Sequence, residues 1–316
     1  MTSRNYAAID LGSNSCRLLI CDDQGKTLFT EHYSTRLAEG MEENNCLTEQ
    51  AIMRGEDAFY KIKKHLKEYN VSGCNLRAIA TAACRMAKNG QEFIDKIKDI
   101  SGITLEIIDG EEEARLNLEG AAEHVKGKSK YVLIWDVGGG STEVSLATNN
   151  DKPKIIKTIS IPYGARNAAE QFDLHEYDEV KAAKLAEEID GYLQKFLADV
   201  KMPDKNDISF IATSSTALRL TAIIEGKEKY EREKEDGQMI TAKQIFAVLP
   251  KLYKCSVEEL GKNPNVGESR APIFVAACVI FARVVERLGA DNITVSLKSA
   301  KDAVVANLIE RDKKHG

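Results

Sequence analysis

The segment IWDVGGGSTEVSL, Ile134 to Leu146, sets three consecutive glycines between two runs of aliphatic residues. A second segment, AIDLGSNSCRLLI from Ala8 to Ile20, repeats the pattern. Aligned on Asp10 and Asp136, Leu11 matches Val137, Gly12 matches Gly138 and Ser15 matches Ser141. After each segment comes a turn-rich stretch, CDDQGK or ATNNDKPK, and then another β-prone run, TLFTEHY or KIIKTISI. Each copy reads as strand, Gly/Ser turn, strand, turn, strand, which is a hairpin meander. Two such copies in one chain point to a duplicated domain.

The rest of the chain supplies the helices that a pair of α/β domains needs. Its 316 residues are too many for one small core and fit two domains of ordinary size. Thr48 to Tyr69 places Ile52, Phe59, Ile62, Leu66 and Tyr69 on one helical face. Leu76 to Thr81 reads as a buried strand, Phe93 to Ile100 as a helix and Thr104 to Ile108 as another strand. GEEEARLNLEGAAEHV follows as a helix whose first turn holds Glu111, Glu112 and Glu113, where the positive helix end favours acids. Beyond the second copy, Asp178 to Val200 carries Leu185, Ile189, Leu193 and Phe196 or Leu197 at helical spacing, and Ile208 to Thr213 reads as a strand. Thr213, Ser214, Ser215 and Thr216 form a polar turn at a helix start, another place suited to phosphate. Glu225 to Gly237 is almost wholly charged and reads as a solvated loop or helix end. ITVSL is the final strand, and a terminal helix runs from Ser299 to about Arg311, with Ser299 and Asp302 suited to a capping box.

Composition narrows the function classes. Lys plus Arg is 44 and Asp plus Glu is 49, a net charge of −5, which disfavours a globally basic nucleic-acid binder; no DNA partner is expected. The seven cysteines are scattered and never spaced as C-x-x-C, so they read as reduced cytosolic thiols rather than disulfides or a zinc site. The start, MTSRNYAAID, has no apolar signal core, and the apolar run Ala271 to Ala282 is too short to cross a bilayer and reads as a buried core helix. A cytoplasmic location without a membrane partner is the expectation.

Chemistry concentrates at the two turns. Successive backbone N–H groups in a glycine-rich turn form an anion nest, and a missing Cβ lets a ligand lie against the main chain. Gly138, Gly139 and Gly140 supply such a turn, with Ser141 and Thr142 as added hydroxyl donors, and Gly12, Ser13, Asn14 and Ser15 supply its counterpart. Asp136 and Glu143 place two carboxylates beside the second turn, hard oxygen ligands able to hold Mg2+ directly or through water. Either turn alone also fits a plain glycine-rich hairpin with a capping aspartate; facing phosphate loops from duplicated domains make a cleft. No G-K-[ST] follows, and neither turn is a G-x-G-x-x-G turn leading into a helix. Arg85, just after a buried strand, suits a bidentate phosphate clamp or a surface position at a helix start. Glu111 to Glu113 suit a plain acidic first turn, or one of them a general base for an attacking water. The five histidines are dispersed and receive no role, and Ser13, Ser15 and Ser141 lack a nucleophile elbow, so they read as hydrogen-bond donors.

The segments DLGSNSCRLLI, TRLAEGMEENNCLTEQAIMRG, ATAACRMAKN, IIDGEEEARL and WDVGGGSTE, in this order and spacing, closely resemble the exopolyphosphatase and guanosine pentaphosphate phosphohydrolase (Ppx/GppA) family. The likeness is strong from residue 7 to about 146 and continues more weakly through SIPYGARNAAEQF, ATSSTALRL and ESRA. It implies an α/β fold of two duplicated actin, sugar-kinase and Hsp70-like (ribonuclease H-like) domains with an interdomain cleft. The domains would span 1–124 and 125–298, with a terminal helix of about 299–316 packing back on the first. The implied activity is release of terminal orthophosphate from inorganic polyphosphate or from pppGpp with a divalent cation, usually Mg2+. The carboxylate before A-R in E-E-A-R serves the family as base, which here is Glu113. Arg85 matches the phosphate-binding arginine, and Asp136, Glu143 and Asp10 match acids of the metal and phosphate site.

Departures cluster in the second domain. Ser214, Ser215 and Thr216 stand where the family usually shows S-G-T, Ala276 and its neighbours replace a P-G, and Ser299, Ala300 and Lys301 replace G-L-R. Lost turn glycines would reshape the part that holds the rest of the substrate. The sequence ends at residue 316, which implies a short form without the C-terminal helical domains, and hence shorter chains or modest processivity. A homodimer accords with family habit. A non-hydrolytic nucleotide- or alarmone-binding scaffold is the competing reading from another class, and Glu113, which an inert binder would not need, argues against it.

Overall fold

Alternation along the first meander decides which layers its sheet joins. In β1 (Tyr6–Leu11), Ala7, Ile9 and Leu11 pack in one cluster with Leu18 and Ile20, whereas Tyr6 and Ala8 pack in another with Leu19 and Cys21. Such a strand is apolar on both faces and needs cover on both. β2 (Cys16–Cys21) and β3 (Thr27–Tyr33) follow as antiparallel neighbours. α1 (Glu49–Glu68) covers one face: Thr48 Oγ1 caps it by accepting the Ala51 N–H at 3.2 Å, and Ala51, Ala58, Phe59, Ile62 and Leu66 are buried. Complete burial of Phe59 and of Ile62 contributes about 1.5–3 kcal/mol each. β4 (Leu76–Ala80), α2 (Ala82–Met86), α3 (Gly90–Ser101), β5 (Leu105–Ile107) and α4 (Gly110–Ala121) complete the run.

The second meander comprises β6 (Tyr131–Val137), β7 (Thr142–Thr148) and β8 (Ile155–Ile161). After it come α5 (Ala165–Gln171), α6 (Glu179–Asp199), β9 (Ile208–Ala212), α7 (Ser215–Ile224), β10 (Met239–Thr241), α8 (Ala242–Leu252), α9 (Val257–Lys262), α10 (Ala271–Leu288), β11 (Asn292–Val295) and α11 (Ala300–His315). Among the described residues the first sheet runs β3-β2-β1-β4-β5 and the second β10-β11-β9-β6-β7-β8, the same order with one strand added at an edge. In both, the first meander strand pairs in parallel with the strand after the long helix, β4 or β9.

The chain divides into two compact units, Met1–Gly120 with Ser299–Gly316, and Ala121–Lys298. Within the first, α11 lies on β1, β2 and β4 and covers the other face of that sheet with Val304, Val305 and Leu308. Within the second, α10 is the central helix, packed on α5 and α6, and Gly289 in the left-handed region at φ 61 ends it. The run Ala271 to Ala282 is thus the buried core helix that its composition predicts.

This computed structural model describes residues 4–41, 44–150 and 153–315. Glu42 and Glu43 of the segment TRLAEGMEENNCLTEQAIMRG, and Asp151 and Lys152 of the turn ATNNDKPK, lie outside the described residues, as do residues 1–3 and 316. Among the described residues no helix is long and apolar enough to cross a membrane. All seven cysteines are free thiols.

Three sequence expectations need correction. The charged run Glu225 to Gly237 is not simply solvated: Glu235 is fully buried, Lys227 Nζ donates to its Oε2 at 2.5 Å, and Tyr230 lies under the Arg219 guanidinium at 4.2 Å. Pairing lets a charged side chain be buried that composition alone would leave in water. The capping box at α11 is half formed. Asp302 Oδ2 accepts the Ser299 N–H at 2.8 Å, but the buried Ser299 Oγ has no hydrogen-bond partner among the described residues. Finally, Ser215, Ala276 and Ala300 sit in the helices α7, α10 and α11, not in glycine-dependent turns.

Candidate active site

The hairpins joining β1 to β2 and β6 to β7 close alike. Gly12 N donates to Ser15 O at 2.9 Å, and Gly138 N donates to Ser141 O at 2.9 Å. A two-residue hairpin turn ordinarily adds the reciprocal bond from the serine N–H to the glycine carbonyl. Among the described residues neither turn forms it, and no protein acceptor takes the N–H groups of Ser13, Asn14 and Ser15 or of Gly139, Gly140 and Ser141.

The carbonyls of both turns, by contrast, are held by a following segment. Ala38 N donates to Ser13 O at 2.9 Å and Arg36 N to Asn14 O at 3.0 Å. In the second unit Ala165 N donates to Gly138 O and Arg166 N to Gly139 O, both at 2.8 Å, and Asn167 Nδ2 donates to Gly140 O at 2.8 Å. Gly164 permits this closeness: a Cβ there would stand 2.6 Å from Gly140 N and Ser141 N and 2.7 Å from Gly138 O. At Gly139 and Gly140, however, an added Cβ would meet nothing within 4 Å, and neither residue has a left-handed φ. Gly164 and Asn167 have no place in the sequence reading; the one signal there was the segment SIPYGARNAAEQF, with its glycine at a helix start.

The hydroxyls divide. Ser141 Oγ donates to Glu143 Oε1 at 2.5 Å, and Ser160 Oγ donates to the same oxygen at 3.1 Å. Thr142, expected to serve a phosphate, is fully buried and donates to Tyr163 O at 2.8 Å. The pleat turns it inward where it turns Glu143 outward. At the other helix start expected to suit phosphate, Ser214 is buried and its Oγ accepts the Ala217 N–H at 3.2 Å as the N-cap of α7.

In the first unit the acidic first turn of α4 sorts its three glutamates by their neighbours. Asp109 Oδ1 accepts the Glu112 N–H at 2.8 Å and starts the helix. Glu112 then takes Arg115 Nε at 2.7 Å and Arg77 Nη2 at 3.2 Å; the Arg115 hydrogen bond, against the opposing effect of burial and helped by Arg77, holds its carboxyl below the usual range. Glu111 is exposed. Glu113 alone meets Arg85, whose Nη1 lies 3.2 Å from Glu113 Oε2 and donates to Ile108 O at 2.7 Å. One guanidinium nitrogen is thus fixed on the backbone, and the others remain for a further anion.

The acids beside the two turns differ in what stands opposite. On β1 and β2 Asp10 faces Arg17, Nη1 to Oδ2 3.8 Å, and the Asp10 side chain is 13% exposed. Burial pushes its carboxyl up, and Arg17 opposes this. At the matching register of β6 and β7, Asp136 faces Glu143, and both residues are exposed. One carboxylate from each strand thus stands on the same exposed face, and hard oxygen ligands of this kind suit a divalent cation. Among the described residues no group of three or more His, Cys, Asp or Glu side chains converges as a metal site. The donor set therefore fits Mg2+ of the kind held by one or two carboxylates, with waters and substrate phosphate oxygens as the remaining ligands. Asp10, nominated with them, already has a guanidinium opposite.

A family model described as the Ppx/GppA phosphatase family matches residues 20–312. The chain is 30% identical over 305 residues to a bifunctional 3-dehydroquinate synthase/phosphatase of Fusobacterium nucleatum, a match covering 92% of this chain and 44% of that protein. It thus spans less than half the length of that curated relative. Among solved structures it is similar to the Aquifex aeolicus member of the Ppx/GppA family, with 27% identity, a TM-score of 0.81 and 99% of each chain covered. It is also similar to an exopolyphosphatase from Cytophaga hutchinsonii, with 25% identity, a TM-score of 0.76 and 98% of each chain covered. Its α/β fold with two mixed sheets is the actin-like two-domain fold of these structures.

Proposed function

The chain belongs to the Ppx/GppA phosphatase family, and from that premise we propose that it is a phosphoric-anhydride hydrolase that releases terminal orthophosphate from inorganic polyphosphate. The observation that supports this reading is the 3.2 Å contact between Arg85 Nη1 and Glu113 Oε2, a guanidinium suited to an anion beside a carboxylate suited to accept a proton. Both side chains are partly exposed, 31% and 29%, so substrate and water can reach them.

Arg85 binds oxygens of the terminal phosphoryl group with the guanidinium N–H groups that Ile108 O does not use. Glu113 accepts a proton from the attacking water, which displaces the rest of the chain in line. The N–H groups of Ser13, Asn14 and Ser15 in one unit, and of Gly139, Gly140 and Ser141 in the other, each present donors suited to phosphate oxygens. The missing Cβ at Gly139 and Gly140 makes room for no contact among the described residues, which accords with a ligand lying there. Asp136 and Glu143 would hold Mg2+, which when bound neutralises charge on phosphate oxygens.

The test is phosphate release from polyphosphate, pppGpp and ATP, with and without Mg2+, for wild type and Glu113→Ala. Wild type releases phosphate from polyphosphate in Mg2+, and Glu113→Ala is slower by about 10²–10⁴. Preference for pppGpp would replace the substrate but keep the chemistry. Full activity of Glu113→Ala removes Glu113 as base, and no release from any substrate supports a non-hydrolytic binder.

A further inference from the structure

A trans peptide points its C=O and the next N–H in opposite directions. Whatever holds a carbonyl therefore aims the following N–H. In the second-unit turn the carbonyls of Gly138, Gly139 and Gly140 are all engaged by residues 165–167, so the N–H groups of Gly139, Gly140 and Ser141 are aimed away from α5. Two of these three clamps are main-chain N–H groups. The third, on Gly140 O, is the side chain of Asn167.

Asn167 is fully committed. Nδ2 donates to Gly140 O at 2.8 Å and to Pro162 O at 2.9 Å, and Oδ1 accepts the Gly164 N–H at 2.7 Å. Its partners fix the amide orientation, because a flipped group would set its oxygen against two carbonyls and its NH2 against an N–H. The first unit gives an independent comparison. Asn14 O, aligned with Gly140 O, is held there by a main-chain donor, Arg36 N at 3.0 Å. The same carbonyl is restrained in both repeats by unrelated means, which marks the restraint rather than either residue as the shared requirement. α5, seven residues long, is no anion site itself, since its first N–H groups are spent on the turn.

We propose that Asn167 is a positioning residue that sets the anion-binding form of the GGGS turn by fixing Gly140 O and so presenting the Ser141 N–H to phosphate. This rests on reading the turn as a phosphate site. Asn167→Asp keeps the acceptor for Gly164 N but replaces both donors with a charged oxygen facing two carbonyls.

The experiment uses the full chain labelled with 15N-glycine and 15N-serine and titrated with inorganic tripolyphosphate, alongside steady-state phosphate release. In wild type the Gly139, Gly140 and Ser141 amide signals move together. In Asn167→Asp the Ser141 response is lost, tripolyphosphate affinity falls at least tenfold, and KM rises at least tenfold, while the Gly12 and Ser15 responses persist. Asn167→Ala, which removes the donors without adding charge, shows the same pattern if Asn167→Asp does not fold. A Ser141 response and affinity equal to wild type in either folded variant overturns the proposal. Lost Ser141 response without phosphate release from any substrate keeps the proposal and removes the hydrolase reading; unchanged KM with active enzyme does the reverse.

Discussion

Replacing Gly139 by alanine separates the demands of folding from those of a ligand. The added methyl meets no protein atom within 4 Å, and the residue does not occupy the left-handed region. Where the backbone is compatible, Gly→Ala removes freedom from the unfolded chain and stabilises by about 0.4–1 kcal/mol. In a unit of this size that raises the thermal midpoint by about 1–4 °C. A phosphate oxygen seated on the turn needs N–O distances of about 2.7–2.9 Å, and a methyl in that space displaces it by roughly an ångström, beyond hydrogen-bond reach. Two charge-assisted bonds lost at about 1.5–3 kcal/mol each amount to about 3–6 kcal/mol, or roughly 10²–10⁴ in kcat/KM. Calorimetry and phosphate release from polyphosphate measure the two halves. A kcat/KM within threefold of wild type refutes the placement of phosphate on bare backbone. A midpoint lowered by several degrees would show instead that the protein itself requires the glycine.

Gly164→Ala inverts that outcome, since its Cβ would stand 2.6 Å from two backbone nitrogens; about 1–3 kcal/mol of overpacking lowers the midpoint by roughly 2–12 °C, and activity falls with it. Lys227→Met strands the fully buried Glu235 carboxylate and costs about 3–5 kcal/mol in urea unfolding, most of which Glu235→Leu added to it recovers. Glu112 is held below its usual range in the folded chain, chiefly by Arg115, so its contribution is complete above the unfolded carboxyl pKa and fades as pH falls through the lower folded value. The midpoint difference between wild type and Glu112→Gln, worth about 1 kcal/mol or less at pH 7, therefore closes below about pH 4; a difference constant with pH would mean lost packing, not lost charge.

What could be read in the sequence was local. Aliphatic runs on either side of a Gly/Ser turn specify a hairpin, and an apolar stripe at helical spacing after Thr48 specifies a helix, because neighbours in sequence carry both signals. What these signals did not disclose is the pleat at the start of β7, which turns Thr142 inward, where its hydroxyl is spent on Tyr163 O. Glu112 and Glu113 could not be told apart by spacing, because what separates them is the distant arginine each meets, Arg77 or Arg85. The clamp on the GGGS turn left no trace in the turn itself, since it acts on carbonyls, which every residue has; its one trace lay in the separate segment SIPYGARNAAEQF. Nor does a charged composition disclose that Lys227 and Glu235 pair in the interior.

The two carbonyl clamps also differ in what mutation can do to them. Arg36 contributes its main-chain N–H, which persists under any substitution that tolerates its φ of 45. Asn167 contributes a side chain, and few replacements offer a donor and an acceptor at that reach. The turn of the first unit is thereby robust to drift at its clamp, while that of the second can be loosened or retuned by a single codon change outside the turn itself.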